Sequence, residues 1–357
     1  LNISIVGAGI AGLTAAIVLR RNGYLVQVFE ASEIKTEIGA ALGVQPNVLR
    51  VLDHLGVSRT NLRGVPHTEV CFSLVWGAGL HSVISYQELQ EMASIYCMLS
   101  QGLLCHRNDL HNELKRLATG EGEGPPAKIH LGSRVLAGDA EEGTITLEGG
   151  KVVHADLILG ADGVNSVIRT EILGGAVTAP SSGLSCFRTV FEAQTSEIPE
   201  LEWLTAEVSG TRSAIVKDGP FRMFLMYPCR NGSLINFIAF FTDSPGDEAG
   251  WTPTGSREEI MEKFPDFHPK LLRVLDLPSH SPIHKWKLKV LPLLPTWIRG
   301  QAALLGDSAH ATMPFLAQGA GMAIEEAGTI GCLLPLGTRR EDIPGRLEAY
   351  QDIRKYR

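Results

Sequence analysis

Three apolar stretches in this chain stop at a glycine or an acid, and each is followed by residues that leave backbone bare. The first, "ISIV" (3–6), runs into "GAGIAG". Apolar residues then recur at helical spacing until near Gly23, and "YLVQVFE" resumes as a strand. The change of period from two to 3.6 and back predicts strand, tight turn, helix, strand. The second, "KVVHADLILGADGVNSVIR" (151–169), alternates and then runs apolar, so residues 157–159 read as a strand buried on both faces of a parallel sheet. The third, "QAALLGD" (301–307), predicts a buried strand that ends on Asp307; Gly319-Ala320-Gly321 then opens a helix from Met322 to about Leu334.

Between about 179 and 281 the pattern differs. "SGLSCFRTVFEA", "RSAIVKDGPFRMFLMYPC" and "SLINFIAFFT" alternate or run apolar and are rich in Phe, Ile and Val. They predict an antiparallel sheet, to which residues 65–97 add strands, closed by helix-like "SREEIMEKF" and "PKLLRVLDL". The aromatics there are expected mainly in the sheet core.

The glycines carry the first chemistry. Gly7, Gly9 and Gly12 form G-x-G-x-x-G between a strand and a helix. The first permits the turn, the second lets backbone approach a pyrophosphate, and the third lets helix and strand pack closely. Phosphate charge then sits at a helix N-terminus. Glu30, ending the second strand, stands where an acid accepts ribose hydroxyls. This fingerprint does not separate FAD from NAD, because both share the ADP half. Asp162-Gly163 lies at the carboxyl end of its strand, where doubly wound sheets bind ligands, or forms a plain turn. Asp307 offers a short carboxylate to a polyol hydroxyl. The uncovered N–H groups at Ala320 and Gly321 suit negative charge developing on an electron-accepting ring.

Composition narrows the partners. The 357 residues are 44% hydrophobic and 20% charged with net charge −7, and acids and bases are interspersed. No basic tract exists to release counterions from nucleic acid. Six cysteines (71, 97, 105, 186, 229, 332) form no CxxC pair and no metal-ligand spacing with histidine, which reads as reduced, buried thiols in a cytoplasmic protein without a metal. No apolar run approaches a membrane span. The chain opens on Leu1 and closes on "YQDIRKYR", which reads as cropped at both ends, so a lost anchor is left open.

Together these segments resemble the group A flavoprotein monooxygenases, the salicylate-hydroxylase and para-hydroxybenzoate-hydroxylase-like family, including its fungal secondary-metabolite members. The matches are "VGAGIAG" with Glu30, "ADGVNSVIR" as the DG motif and "LLGDSAHATMPFLAQGAGMAIEEA" as the GD motif. "CHRNDLHNEL" (105–114) resembles the family's FAD segment and implies a cofactor role for Arg107; "GAALGVQPNVLRVLDHLG" (39–56) implies that Gly43 lies close to FAD.

The resemblance implies an α/β protein. Its Rossmann-like FAD-binding fold is discontinuous (1–70, 98–178, 282–334) and carries an inserted, mostly antiparallel substrate sheet (71–97, 179–281), before a C-terminal helical segment (335–357). It further implies tight, non-covalent FAD, with NAD(P)H as a transient co-substrate, since no second nucleotide fingerprint is present. O2 would then be delivered through a C4a-hydroperoxyflavin to hydroxylate or epoxidise an electron-rich aromatic, indole or polyketide-like molecule.

On the substrate side, Arg188 in "CFRTVF" sits in an apolar strand, where an unpaired guanidinium is costly unless it faces a cavity or an acid. The resemblance gives it the role of orienting or protonating substrate. Tyr227 matches the family's Tyr-Pro and is a candidate hydrogen-bond partner for a substrate phenol or amide. His54, His106 and His310 are available as acid–base groups, but the sequence places none of them in a pocket. The rival readings are another oxidase or reductase on the same fold, an NAD-dependent dehydrogenase, or a non-catalytic binding module.

Overall fold

The computed structural model describes residues 1–33, 40–67, 69–76, 79–85, 102–193, 210–216, 219–243 and 254–357. Cys97 and the rest of the 86–101 stretch lie outside these, as does Gly39.

A six-stranded sheet forms the half expected to bind the cofactor, the cofactor half. Its order is Ile298–Arg299, Ala302–Leu304, Leu157–Gly160, Asn2–Val6, Leu25–Phe29 and Lys128–His130, parallel except at the Ile298–Arg299 edge. The three apolar stretches of the sequence thus lie side by side at its centre. The helix Ile10–Arg21 has eleven buried residues, Ile10 to Arg20, so it is apolar nearly all round, as a helix enclosed on every side must be. It packs against the helix Gly319–Leu333 at short range: a Cβ at Gly331 would stand 2.8 Å from that of Val18. Arg20 is 2% exposed, and its guanidinium donates to the carbonyls of Leu117, Ala118, Gly120 and Gly124, which replaces the water it has lost.

The half expected to bind substrate, the substrate half, is a seven-stranded sheet ordered His284–Lys289, Ser181–Glu192, Leu234–Thr242, Arg222–Cys229, Gly210–Val216, Glu69–Trp76 and Gly79–Ser85. All its pairs are antiparallel except Gly210–Val216 with Glu69–Trp76. Within residues 65–97, Glu69–Trp76 and Gly79–Ser85 pair antiparallel in this sheet. The sheet extends beyond residue 281, because "HKWKLK" is its edge strand. Lysines alternating with Trp286 and Leu288 suit an edge, where charge discourages further pairing.

The strands alternate faces. Phe187, Phe191, Phe224, Phe237 and Phe241 pack outward with Phe264, Phe267 and Leu271 from the helices Arg257–Lys263 and Pro269–Leu272. Ser256 caps the first of these with a reciprocal bond to Glu259, a stop-start signal worth about 1 kcal/mol. Most of the aromatic content is therefore core. Cys186, Met223, Ile238 and Phe240 occupy the opposite face with Leu225 and Trp286.

A three-stranded sheet, Ala41–Val44, Gly102–His106 and Val65–His67, lies between the halves. Asp109 is buried there between Arg63 (2.6 Å) and Arg230 (3.0 Å), one from each half. The closing helix Ile343–Arg354 ends three residues before the last. No helix among the described residues is long and apolar enough to cross a membrane.

Candidate functional site

The glycine turn shows why each glycine is needed. Gly7 has φ +101°, and a Cβ there would stand 2.3 Å from the Ala161 carbonyl oxygen. This contact seats the DG segment against the first turn. At Gly12 a Cβ would meet the Gly7 carbonyl oxygen at 2.0 Å, whereas at Gly9 it would meet no atom within 4 Å. Gly9 is the N-cap of the Ile10–Arg21 helix, with no side-chain cap and no acid in the first turn. Its first N–H groups are therefore available to an anion. Glu30 follows the second strand and turns back to the same loop, accepting from the Ala8 N–H (2.8 Å) and the Ser32 N–H (2.8 Å). Each carboxylate oxygen keeps a further lone pair. The His111 ring lies 2.8 Å from the Ala8 carbonyl and holds the loop from the other side. These residues fit the ADP half of FAD.

Asp162 is engaged with the segment that follows it. Its carboxylate accepts from Ser166 Oγ (2.5 Å), the Val167 N–H (2.7 Å) and the Ile168 N–H (3.3 Å). It caps the short helix that follows it. Burial pushes its carboxyl above the ordinary value while those hydrogen bonds pull the other way. The DG segment is thus a rigid turn, fastened further by Arg169, whose guanidinium donates to Val177, Ser308 and Val164 carbonyls.

Asp307 does not end the strand. Ala302–Leu304 stops three residues earlier, and Asp307 opens a one-turn helix to His310 after Gly306, at φ +62°. Its side chain is exposed, and its Oδ1 lies 4.0 Å from where a Gly319 Cβ would stand. The long helix begins at Gly319, so Ala320 and Gly321 fall in its first turn, with no side-chain cap and no acid beside them. Gly321 is required by packing too, since a Cβ there would strike Val48 at 2.8 Å. Gly43 sits opposite Ala317, 3.3 Å from its Cβ position. Asp307, Gly43 and the helix start are therefore neighbours, as a flavin's ribityl chain and ring would need.

Arg107 opens the helix Arg107–Thr119, and its N–H donates to the Ala40 carbonyl at 2.7 Å. The next residue, Ala41, belongs to an edge strand, and its outward peptide groups are taken by the substrate sheet. The Tyr227 hydroxyl donates to the Ala41 carbonyl (2.8 Å), and the Ala41 N–H donates to Asn236 Oδ1 (2.9 Å). The proton of Tyr227 is thus used inside the protein, and burial pushes its pKa up. Its oxygen keeps lone pairs through which it can still accept. Strand alternation turns the peptide groups of Gly43 to the same side as those of Ala41.

Arg188 lies on the face opposite the Phe core, and its Nη2 donates to the Ala41 carbonyl at 3.5 Å. Among the described residues no acid pairs with it, and its buried Nε has no partner. Above it, Phe315 of the segment before Gly319 meets Phe240 (centroids 5.0 Å apart) and Phe221 (5.6 Å). Ala41 and Phe315 thus bring the cofactor half against this face of the sheet. A cavity of about 350 Å³ lies at the foot of this face, between His106, Asn108 and Val190, Arg230, His280. Of the residues singled out in the sequence, His106 lines it. His106 is buried there, and burial together with Arg230 lowers its pKa to about 4.

Sequence reasoning missed Ala41, Asn236 and Glu326. Asn236 had a signal, as a lone amide in the apolar run "SLINFIAFFT". Its partner, 195 residues away, had none.

Comparison with known proteins gives the family. The FAD binding domain family matches residues 1–357. Hispidin-3-hydroxylase of Neonothopanus nambi is 38% identical over 369 aligned positions, which cover 100% of this chain and 86% of that protein. The FAD-dependent monooxygenase cfoG of Aspergillus candidus is 35% identical, covering 100% and 82%. Among solved structures, the tetrameric form of 2-methyl-3-hydroxypyridine-5-carboxylic acid oxygenase superposes with a TM-score of 0.75 at 28% identity, over 99% of this chain and 87% of that one.

Proposed function

The chain belongs to the FAD binding domain family and is an FAD-dependent monooxygenase, and from that premise we propose that it uses NAD(P)H and O2 to hydroxylate an electron-rich aromatic molecule held by Arg188. When bound, FAD supplies the electron transfer and the activated oxygen. The chain's own residues bind, orient and shield.

Gly7, Gly9, Gly12 and Glu30 hold the ADP half, and Asp307 takes the ribityl hydroxyls. Arg107 and Gly43 line the approach to the ring. The first turn at Gly319, Ala320 and Gly321 favours negative charge on the reduced ring. Asp162 acts from behind by fixing the turn against Gly7. Phe221, Phe240 and Phe315 keep water from one end of the site, which strengthens every charge interaction within. Tyr227 and Asn236 hold Ala41 in place.

The observation that carries the reading is Arg188. A partly buried guanidinium with an unpartnered Nε is unfavourable in apolar surroundings unless a ligand completes its hydrogen bonds. A phenol oxygen does so and gains from the contact, because positive charge stabilises its phenolate. The phenolate in turn makes the ring a better nucleophile toward electrophilic oxygen. The substrate class named by the relative hispidin-3-hydroxylase is consistent with hydroxylation of this kind.

The test is an absorbance spectrum of purified protein, then anaerobic NADPH or NADH with a panel of phenols and indoles. Flavin bleached faster in the presence of one compound, and that compound hydroxylated in air, is the expected result. Flavin that neither nicotinamide reduces would overturn the proposal.

A further inference from the structure

We propose that Glu326 and a protonated His310 form a buried ion pair that holds the Gly306–Asp307 turn in its cofactor-binding shape, so that FAD is retained tightly only while His310 carries its proton. The inference rests on the assignment of Asp307 to the ribityl chain.

The geometry is local, and it engages His310 through Nε2 while its buried Nδ1 has no partner among the described residues. Gly306 has φ +62° and ψ −139°, a conformation that only glycine adopts readily. Its N–H donates to Glu326 Oε2 at 2.7 Å, and Glu326 Oε1 lies 2.6 Å from His310 Nε2. One carboxylate therefore grips the residue just before Asp307 and the residue three after it. Glu326 is 1% exposed. A carboxylate at that depth is stable only when paired and fully hydrogen-bonded.

The charged groups on the surrounding elements leave His310 as its partner. Arg354, on the closing helix, is engaged with Glu325 at 2.8 Å. Arg169 spends its guanidinium on three carbonyls, one of them Ser308. The Tyr350 hydroxyl donates to the Leu304 carbonyl, and burial keeps it neutral. Asp307 adds a second negative charge. Among the described residues, His310 is the cation within ion-pair distance of Glu326. Burial opposes charge on His310, but the Glu326 hydrogen bond and the fields of Glu326 and Asp307 outweigh it and raise its pKa above the ordinary 6.5. A group raised in the folded state stabilises fully below its unfolded pKa, and the contribution is lost as pH rises through the folded value. The turn should loosen on the alkaline side of neutrality, not the acid side.

The experiment is dilution of the holoenzyme into buffers from about pH 6 to about pH 9, a window centred above the ordinary imidazole range. Released flavin is read by its fluorescence to give the FAD Kd at each pH. The wild-type Kd should rise at least about tenfold across the range. His310→Asn and Glu326→Gln should bind FAD weakly at every pH with the slope removed. A wild-type Kd that stays level overturns the proposal without any variant, and a His310→Asn protein with the wild-type slope overturns it as well. Asp307→Ala is the separate control. Wild-type affinity in that variant would overturn the ribityl assignment, whereas weak binding with the slope intact would uphold both.

Discussion

Tyr227 and Asn236 face each other on neighbouring strands and take hold of the same residue, Ala41, one through its carbonyl and one through its N–H. Because Arg107 donates to the adjacent Ala40 carbonyl, two consecutive peptides are held from opposite halves of the molecule. Tyr227→Phe removes one of these fastenings and leaves a buried carbonyl with only the long contact to Arg188. The expected loss is about 1–2 kcal/mol of stability, seen as a lower urea midpoint, with FAD retained. Coupling of NAD(P)H consumption to product should fall, since the ring and substrate would be less firmly placed. An unchanged midpoint and unchanged coupling would remove Tyr227 from the fastening.

Gly9 and Gly12 should fail in different ways. A Cβ at Gly9 meets no protein atom, while one at Gly12 strikes the Gly7 carbonyl. Gly9→Ala is expected to fold with near wild-type stability but bind FAD at least about tenfold more weakly, because the added methyl stands where pyrophosphate approaches. Gly12→Ala should lose stability outright. Thermal unfolding of the flavin-free proteins separates the two.

Arg188→Ala should stay yellow and lose turnover. A hydrogen bond to a charged group is worth about 1.5–3 kcal/mol, so kcat/KM should fall roughly 10- to 150-fold, with Arg188→Lys recovering part of it. Product formation at the wild-type rate would rule out a substrate role.

Acid stability should depend on Glu113. Arg116, Asn61 and the Ser58 N–H hold its carboxyl near about 2 against an ordinary 4.5. A depressed pKa stabilises fully above the unfolded value and is lost as pH falls through the folded one. Glu113→Gln should therefore be less stable at neutral pH and show a shallower decline in urea midpoint from pH 4.5 downward.

The cofactor half was legible because its signals are local. Gly7 to Gly12, Glu30 and the acid–glycine run at 307–321 carry their meaning within a few residues, and the sheet that gathers them follows from their apolar strands. The Asp162 signal was equally local, but the same acid can serve a ligand or its own helix start, and its bonds to Ser166 and Val167 are visible only in the fold. Tyr227 and Asn236 act through a residue 186 and 195 positions away, which no spacing reveals. Glu326 stands beside Glu325 in "IEEA", and their difference lies in which way each faces. That the antiparallel sheet runs past residue 281 was not legible, because alternating lysines in "HKWKLK" mask an edge strand as a surface segment.

Strands that dock by main-chain ladders do so whatever their side chains, and such a joint is nearly indifferent to mutation. Ala41 is fastened to the substrate sheet by a phenol and an amide instead. The spacing between the two halves is therefore inherited one residue at a time. A substrate sheet grafted in from a relative would bring its own pocket, yet without a tyrosine and an asparagine at 227 and 236 it would bring the wrong gap.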